Sequence, residues 1–315
     1  VSLPYLLRRL GFAVLVLWAA FTVSFVVLYL LPGDPVATMA AGSSDGQPVT
    51  AAQLDELRHR YGLDQPLIVQ YGHKLAAALH GDLGTSFATG ETVRGAIADA
   101  LPPTLQVALC GLAFAVVFGA VVALVATYTR IRWLSQVLMA LPSLAVSLPV
   151  FWVGLMLVQL FSFRLGLFPS VGARGPQSLV LPAITLGLPP GALIAQVLAK
   201  SMGQALDEPY VTTARAKGVG AGAVHLRHAL GNALIPALTV LGYVTGLLLA
   251  GSVVVETVFT RPGLGRLTVS SVGVQDIPVV QGVVLFAAVV FVVVNLVLDL
   301  VYPLLDPRIA TAVPA

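Results

Sequence analysis

Residues 200–235 read KSMGQALDEPYVTTARAKGVGAGAVHLRHALGNALI. Long apolar runs lie on either side, but this stretch carries Lys200, Asp207, Glu208, Arg215, Lys217, His225, Arg227 and His228. An ionised side chain at the centre of a bilayer costs about 3 kcal/mol or more. A segment this polar between two apolar spans therefore leaves the lipid and meets water or a partner. Asp207 and Glu208 precede Pro209, which is how a helix begins: acids at the positive end of its dipole and proline in its first turn. The signals predict a helix over 209–217, stopped by Gly218, with Arg215 and Lys217 in its last turn. A second helix is expected over 221–231. Ala214 and Ala216 flank the basic residues and would allow a close fit into a partner's cleft. The same basic residues would also suit an amphipathic loop resting on anionic headgroups, and the local physics leaves both readings open.

The surroundings are those of a polytopic helical membrane protein. Of 315 residues, 57% are hydrophobic and 10% charged, with mean hydropathy +0.93; soluble domains carry about 25% charged residues. A net charge of +3, spread along the chain, gives no basic patch for nucleic acid. The single cysteine, Cys110, excludes a disulfide framework and a Cys/His metal cluster. The first apolar run, 10–31, is too long for a signal-peptide core and reads as a retained transmembrane helix.

Six spans are expected. The first ends at LPGDP, Leu31 to Pro35. Residues 36–101 are polar and richer in acids than bases. Within them Thr50 and Gln53 have capping-box spacing ahead of Leu54, Leu57 and Tyr61. Pro66 opens a second helical pattern with Leu67, Tyr71, Leu75 and Leu79, closed by Gly81, and Val93, Ile97 and Leu101 form a third stripe. This region reads equally as a small cap packing on itself and as a docking surface for a delivery protein. The second span, 104–128, repeats Gly111, Ala115, Gly119 and Ala123, a face that lets another helix approach closely. The third, 135–163, holds Pro142 and Pro149. The fourth, 179–199, holds Pro182, Gly187, Pro189, Pro190 and Gly191. These prolines fit either simple bending or an irregular backbone lining a watery path. The fifth, 234–258, repeats Gly242, Gly246 and Ala250, and the sixth covers 279–303. Short loops hold nine basic residues on the side of the N-terminus and of 200–235 and four on the other, which favours cytoplasmic N and C termini.

No HExxH, GxSxG or GxxxxGK[ST] pattern occurs, so neither hydrolytic chemistry nor a phosphate loop is encoded. His59, His73 and His80, and His225 and His228, read as solvated surface residues. Glu256 and Asp299 are candidate intramembrane charges, but both lie near helix ends. Glu256 could pair with Arg261 or Arg266, and structural anchoring is favoured over a proton relay. An ion-coupled secondary transporter would want carboxylates near the midplane, and an intramembrane enzyme would want paired catalytic groups.

TTARAKG (Thr212 to Gly218) followed by RHALGNALIP (Arg227 to Pro236) resembles the coupling loop of binding-protein-dependent ABC importers. LPGDP, YGLDQPL (61–67), GDLGTSF (81–87), LPPTLQVAL (101–109), FPSVG (168–172), VVVETVFTRPGLGRL (253–267), DIPVVQGVVL (276–285) and LLDPR (304–308) resemble the same family, across the whole chain in order. The resemblance is to permease subunits of dipeptide, oligopeptide and nickel importers, on the dipeptide-permease B side. It implies an all-α membrane protein with six transmembrane helices in the type I importer permease fold. It implies an N-terminal transmembrane helix (1–35), an extracytoplasmic segment (36–101) and a core permease domain (102–315) carrying the coupling loop 200–235. The implied function is translocation of di- or oligopeptides, or of another small solute such as a nickel chelate, without catalytic residues in this chain. The implied partners are a homologous second permease, two cytoplasmic ATPase subunits that bind ATP and Mg, and an extracytoplasmic substrate-binding protein. On this resemblance Tyr210, Thr212, Thr213, Ala214, Arg215, Ala216, Lys217 and Gly218 form the ATPase-coupling unit. Asp34, Tyr61, Asp82, Arg261 and Arg266 are candidates for binding-protein docking or gating. Pro149, Pro189, Gln196, Glu256 and Asp299 are pathway or structural candidates. Thr212 stands where the general motif has Glu, so that Glu's role does not carry over, and Gly231 stands where it has a capping Pro. Pro209 and Pro236 are expected to bracket the unit.

Overall fold

The computed structural model describes residues 3–30, 51–60 and 62–305. Asp34, Tyr61, Thr50 and the LPGDP turn lie outside the described residues. So does the side chain of Asp299, although its helix is described. Among the described residues the chain is helical: α1 (Leu3–Leu30), α2 (Ala51–Arg60), α3 (Leu67–Leu79), α4 (Val93–Tyr128), α5 (Arg132–Ser147), α6 (Val150–Leu157), α7 (Gln177–Leu206), α8 (Pro209–Ala216), α9 (Leu230–Val258), α10 (Leu264–Gly273) and α11 (Ile277–Leu305). Five of these, α1, α4, α7, α9 and α11, are long and apolar enough to cross a membrane.

The pair α5 and α6, which meets at a bend of 106°, is long and apolar enough for a sixth span only when its two arms are taken together. Helix α6 continues as a π-helical turn over Val158–Arg164. The continuous kinked helix expected over 135–163 is therefore two arms. The cause of the break is local. Leu148 (φ −84°, ψ 132°) and Pro149 (φ −61°, ψ 130°) are both extended, because a residue before proline avoids the helical region. Pro142, by contrast, is accommodated inside α5. The 16-residue arm α5 is about 24 Å long, short of a hydrocarbon core of roughly 30 Å.

The chain divides into two compact units, residues 1–102 with 262–293 and residues 103–261 with 294–315. In the first, α3 lies along the later turns of α1. The Thr22 and Tyr71 hydroxyls are 2.9 Å apart, Phe25 stacks on Phe21 and on Tyr29, and the Tyr71 ring lies tilted against Phe21 and edge-on to Phe25. Helix α3 thus packs on α1 and leaves Leu67, Ile68 and Leu79 exposed. Val93, Ile97, Ala100, Leu264, Val279 and Val283 form the unit's core. The Val93 and Ile97 stripe is part of the 36-residue helix α4 rather than a separate element.

In the second unit α7 is the central helix, buried at 17 positions including Pro182, Gly187, Pro190 and Gly191. The small-residue face of α4 meets it. A Cβ at Gly187 would lie 2.3 Å from the Gly111 carbonyl oxygen, and one at Gly119 would lie 2.8 Å from that of Gly191. Only glycine permits backbones this close. Helix α9 shows the same spacing without the same use. Among its described side chains the buried ones are Ala233, Ala237, Val244, Leu248, Ser252, Val255 and Glu256, while Ala250 is exposed.

Candidate functional site

The polar stretch folds in the second unit, and its central element is α8. Glu208 is extended (φ −70°, ψ 146°) and Pro209 occupies the first turn, as an N-terminus requires. At the other end Gly218 takes φ +82°. Its N–H donates to the Arg215 carbonyl at 2.9 Å, and that of Val219 donates to Ala214 at 3.1 Å. This pair of bonds is a Schellman cap, and the Val219 side chain packs back on the helix as such caps favour. The apolar periodicity then decides which side faces inward. Val211 and Ala214 are buried against Val224, while Tyr210, Thr212, Thr213, Arg215, Ala216 and Lys217 are exposed. Ala214 is thus an inward spacer and cannot touch a docked partner, contrary to the expectation that it flanks a contact surface. Leu226, 58% exposed, and Arg227 extend the surface beside α8.

Three membrane helices hold this surface. Helix α7 runs into it directly, with the Asp207 N–H donating to the carbonyls of Gly203 and Gln204. Helix α9 is tied by Tyr210, whose hydroxyl donates to the His228 carbonyl at 3.3 Å and accepts from Asn232 Nδ2 at 3.0 Å. Helix α4 is tied by His225. Its Nε2–H donates to the Thr127 carbonyl at 3.1 Å, and its ring stands edge-on to Tyr128 with centroids 5.1 Å apart. His225 is buried, not solvated as its polar neighbours suggested, because the end of α4 supplies both an acceptor and an aromatic wall. Ala123, Ala199, Ala205, Ala229, Ala233 and Ala237, with Leu198 and Met202, close the junction.

The second helix expected over 221–231 is not separate. Ala221–Ala223 leads into a π-helical turn, Val224–Ala229, which continues into α9 without interruption. Gly231 makes no break, and Pro236 lies inside α9 rather than bracketing the unit. The π turn re-aims residues 224–229 so that Val224 and His225 point inward while Leu226 to His228 remain outside.

The docking and gating candidates scatter. Arg261 is fully buried, with Nη1 donating to the Gly172 and Ser178 carbonyls at 3.2 and 3.1 Å. A guanidinium used in this way offers nothing to a docking protein. Within the second unit it ties the chain just after α9 to the FPSVG loop and the start of α7. Glu256, also fully buried, lies close enough to Arg261 to interact with it electrostatically, which is the geometry of an anchor. Arg266 and Asp82 are exposed. Of the pathway candidates, Pro149 is exposed at the α5–α6 break and Pro189 is half-buried inside α7. Gln196 reaches Ser143 Oγ at 3.4 Å, pairing α7 with α5.

One pairing was not anticipated. Asp276, just before α11, is buried and accepts hydrogen bonds from the Ser86 hydroxyl, the Phe87 N–H at 3.0 Å and the Ala88 N–H at 3.3 Å. Asp276 was quoted only as the first residue of DIPVVQGVVL, and nothing local points its side chain at residues 86–88.

Residues 115–311 match the family described as binding-protein-dependent transport system inner membrane component, and residues 2–108 match the N-terminal family of the same transport system membrane components. The chain is 40% identical over 307 residues, 98% of its length and 99% of the relative's, to the glutathione transport system permease protein GsiC of Salmonella choleraesuis strain SC-B67. It is 38% identical over the same share to that of Escherichia coli strain K12. A crystal structure of an amino acid ABC transporter with histidines matches 68% of this chain and 94% of its own at a TM-score of 0.50 and 19% identity, a likeness of fold. The chain belongs to the inner-membrane permease subunits of binding-protein-dependent ABC importers, as a non-catalytic, multi-pass transport component.

Proposed function

We propose that this permease translocates short peptides delivered by an extracytoplasmic binding protein, and that α8 is the element through which a cytoplasmic ATPase drives it. The observation that carries this reading is the exposed face of α8, mounted on a short capped helix that three membrane helices hold at once. A push on that face reaches α4 through His225, α7 through Asp207 and α9 through Tyr210. Tyr210, Thr212, Thr213, Arg215, Ala216 and Lys217 are the contacts, and Gly218 sets the turn. ATP and Mg belong to the two ATPase subunits, and a homologous second permease completes the pathway. Ser143 and Ser147, exposed on α5, and the half-buried Gln196 of α7 beside Ser143 support a polar path between α5 and α7. The glutathione transporters among its relatives support a peptide cargo, glutathione itself being a tripeptide. A nickel chelate is the alternative cargo.

Uptake in vesicles tests the reading. The chain assembled with a partner permease, the ATPases and a binding protein is expected to accumulate peptide only with ATP. Peptide uptake by the lone chain under an ion gradient would overturn it in favour of a secondary transporter. Gly218→Val is expected to cut ATP-driven uptake at least roughly tenfold while membrane insertion is unchanged. A β-branched residue resists φ +82°, and the strain of about 1–2 kcal/mol falls on the cap that orients α8. Binding-protein-stimulated ATPase at the wild-type level in that variant would count against the role of α8.

A further inference from the structure

The polarity of α3 is inverted for a helix in water. Its polar side chains turn inward. Gln70 is buried and donates from Nε2 to the Gln65 carbonyl at 2.7 Å. Lys74 is half-buried, with its ammonium 5.9 Å from the centre of the Tyr29 ring. The side chains turned outward are apolar: Leu67, Ile68 at 77% exposure, Val69 and Leu79 at 80%, with Gly72 and Ala76 exposed between them. His73 is exposed at the edge of this arc. A helix between core and water shows the opposite distribution, and a contiguous apolar face of this kind calls for a cover.

The contact with α1 says what the cover is. The Tyr71 ring stands 5.8 Å from that of Phe21 and 5.3 Å from that of Phe25, and its hydroxyl meets that of Thr22. All three partners belong to the span Leu7–Tyr29. Thr22 lies about 10 Å along the helix from Tyr29, and one leaflet of a hydrocarbon core is about 15 Å thick. The Tyr71 ring is thus well inside the hydrocarbon. On an α-helix Tyr71, Leu75, Ile68 and Leu79 fall within an arc of about 80°, and His73 falls about 160° from its centre. The arc that Tyr71 anchors faces the acyl chains. The Lys74 ammonium reaches back to Tyr29, where the span ends, and His73 faces the membrane surface, as on a helix lying in the interface. Asp64 and Gln65 before the helix, and His80 and Asp82 after it, are exposed and bring both of its ends to the polar boundary. Beside this contact α1 exposes Val23, Val26 and Val27 to the same medium.

We propose that α3 is a membrane-embedded helix, its outward arc of Ile68 and Leu79 covered by lipid acyl chains in the leaflet at the Tyr29 end of α1. The helix lies along that leaflet and does not cross the membrane, since its 13 residues extend only about 20 Å. The cover is hydrocarbon, whatever the headgroup above it. Residues 67–79 thereby widen the lipid-facing surface of the first unit, and their apolar arc is withdrawn from any surface that a soluble delivery protein touches.

Spin labels test this in the full-length permease, reconstituted in phosphatidylcholine liposomes with Cys110→Ala as background. Labels at Ile68→Cys, His73→Cys and Leu79→Cys report collisions with oxygen, which partitions into acyl chains, and with a water-soluble chromium oxalate complex. The ratio of oxygen to chromium collisions is expected to be at least about fivefold higher at 68 and 79 than at 73. Chromium collisions that dominate at 68 and 79 overturn the proposal and leave the arc open to a soluble partner. Low rates with both reagents also overturn it, because the cover is then protein, another part of this chain or a second copy. The wild-type chain gives a readout that needs no variant. A photoactivated carbene carried on the acyl chain of phosphatidylcholine is expected to label residues 67–79 to within about twofold of residues 23–27 of α1. Labelling of 23–27 without 67–79 overturns the proposal. Ile68→Asp is expected to lower the folded permease recovered from the membrane roughly tenfold, because a carboxylate among acyl chains is costly, while Ile68→Leu leaves it unchanged. Recovery of Ile68→Asp at the wild-type level would place the arc in water.

Discussion

Gly187→Ala is expected to abolish transport and to leave little folded permease in the membrane. The added Cβ would lie 2.3 Å from the Gly111 carbonyl oxygen and 2.9 Å from a Phe114 ring carbon. The carbonyl is helix backbone and cannot rotate aside, so α4 and α7 would have to separate. Separation is opposed along the whole contact. A Cβ at Gly191 would already be 3.0 Å from the Ala115 oxygen, and Leu181, Leu186 and Ile194 of α7 share one core with Val107 and Ala115 of α4. A gap of 0.5–1 Å forfeits a quarter to a half of the dispersion energy of each contact, and overpacking alone costs about 1–3 kcal/mol.

Two alanine variants calibrate the experiment, read as thermal unfolding of the purified permease. At Gly111 the nearest obstacle is the Leu186 side chain at 3.3 Å, which can shift, so a modest drop is expected. At Gly203, in the same helix as Gly187, nothing lies within 4 Å. Alanine there removes a helix penalty of about 1 kcal/mol and should leave stability unchanged or raised. A Gly187→Ala protein that unfolds with the wild type would show that the two helices are not in this contact.

These helices also show how far the sequence could be read. The spacing of Gly111, Ala115 and Gly119 announced a close approach, whereas the glycines and prolines of 182–191 left simple bending and a watery path equally open. That the two are partners depends on contacts across the fold. The same spacing at Gly242, Gly246 and Ala250 does not mark the buried side of α9, because small residues permit an approach without compelling one. Helix α8 was legible almost to the residue, since Pro209 and Gly218 fix its ends by local chemistry. Long-range chemistry was hidden. Arg261 looked like an outer-loop cation until the Gly172 and Ser178 carbonyls claimed it, and His225 looked solvated until the end of α4 covered it. Pro142 and Pro149 are alike in sequence. What separates them is the extended backbone of Leu148 and Pro149, which sets the two arms at a bend of 106°.

Asp276→Ala is expected to release residues 86–88 from the start of α11 and to stop transport without expelling the spans. The carboxylate is the shared acceptor of the Ser86 hydroxyl and of the Phe87 and Ala88 N–H groups, at a site where Asp276 is 3% exposed and Ser86 is 2% exposed. Alanine leaves these donors dry, at about 1–3 kcal/mol for each that water does not reach. The combined loss is on the order of 3–5 kcal/mol, as when one partner of a buried charged cluster is removed. The hairpin closes on itself through the Ser86 N–H to the Glu91 carbonyl at 2.8 Å, the Val93 N–H to that of Gly84 at 3.0 Å and the Thr89 N–H to Ser86 Oγ at 3.0 Å, and Asp276 is what ties this closed turn to the start of α11. Release would expose Phe87, now 6% exposed, so chymotrypsin should cut after it in the variant and not in the wild type. Asp276→Asn should be milder, because one oxygen still accepts from Phe87 while the amide faces the other donors. Ser86→Ala should be milder again, because it removes a donor and leaves the carboxylate its two backbone bonds. Protection of Phe87 and normal uptake in Asp276→Ala would mean that the hairpin is held by its own turn and that the acid only begins α11. A ranking of Ala above Asn above Ser86→Ala in cleavage rate would instead make Asp276 the residue through which GDLGTSF and DIP, far apart in the chain, act as one element.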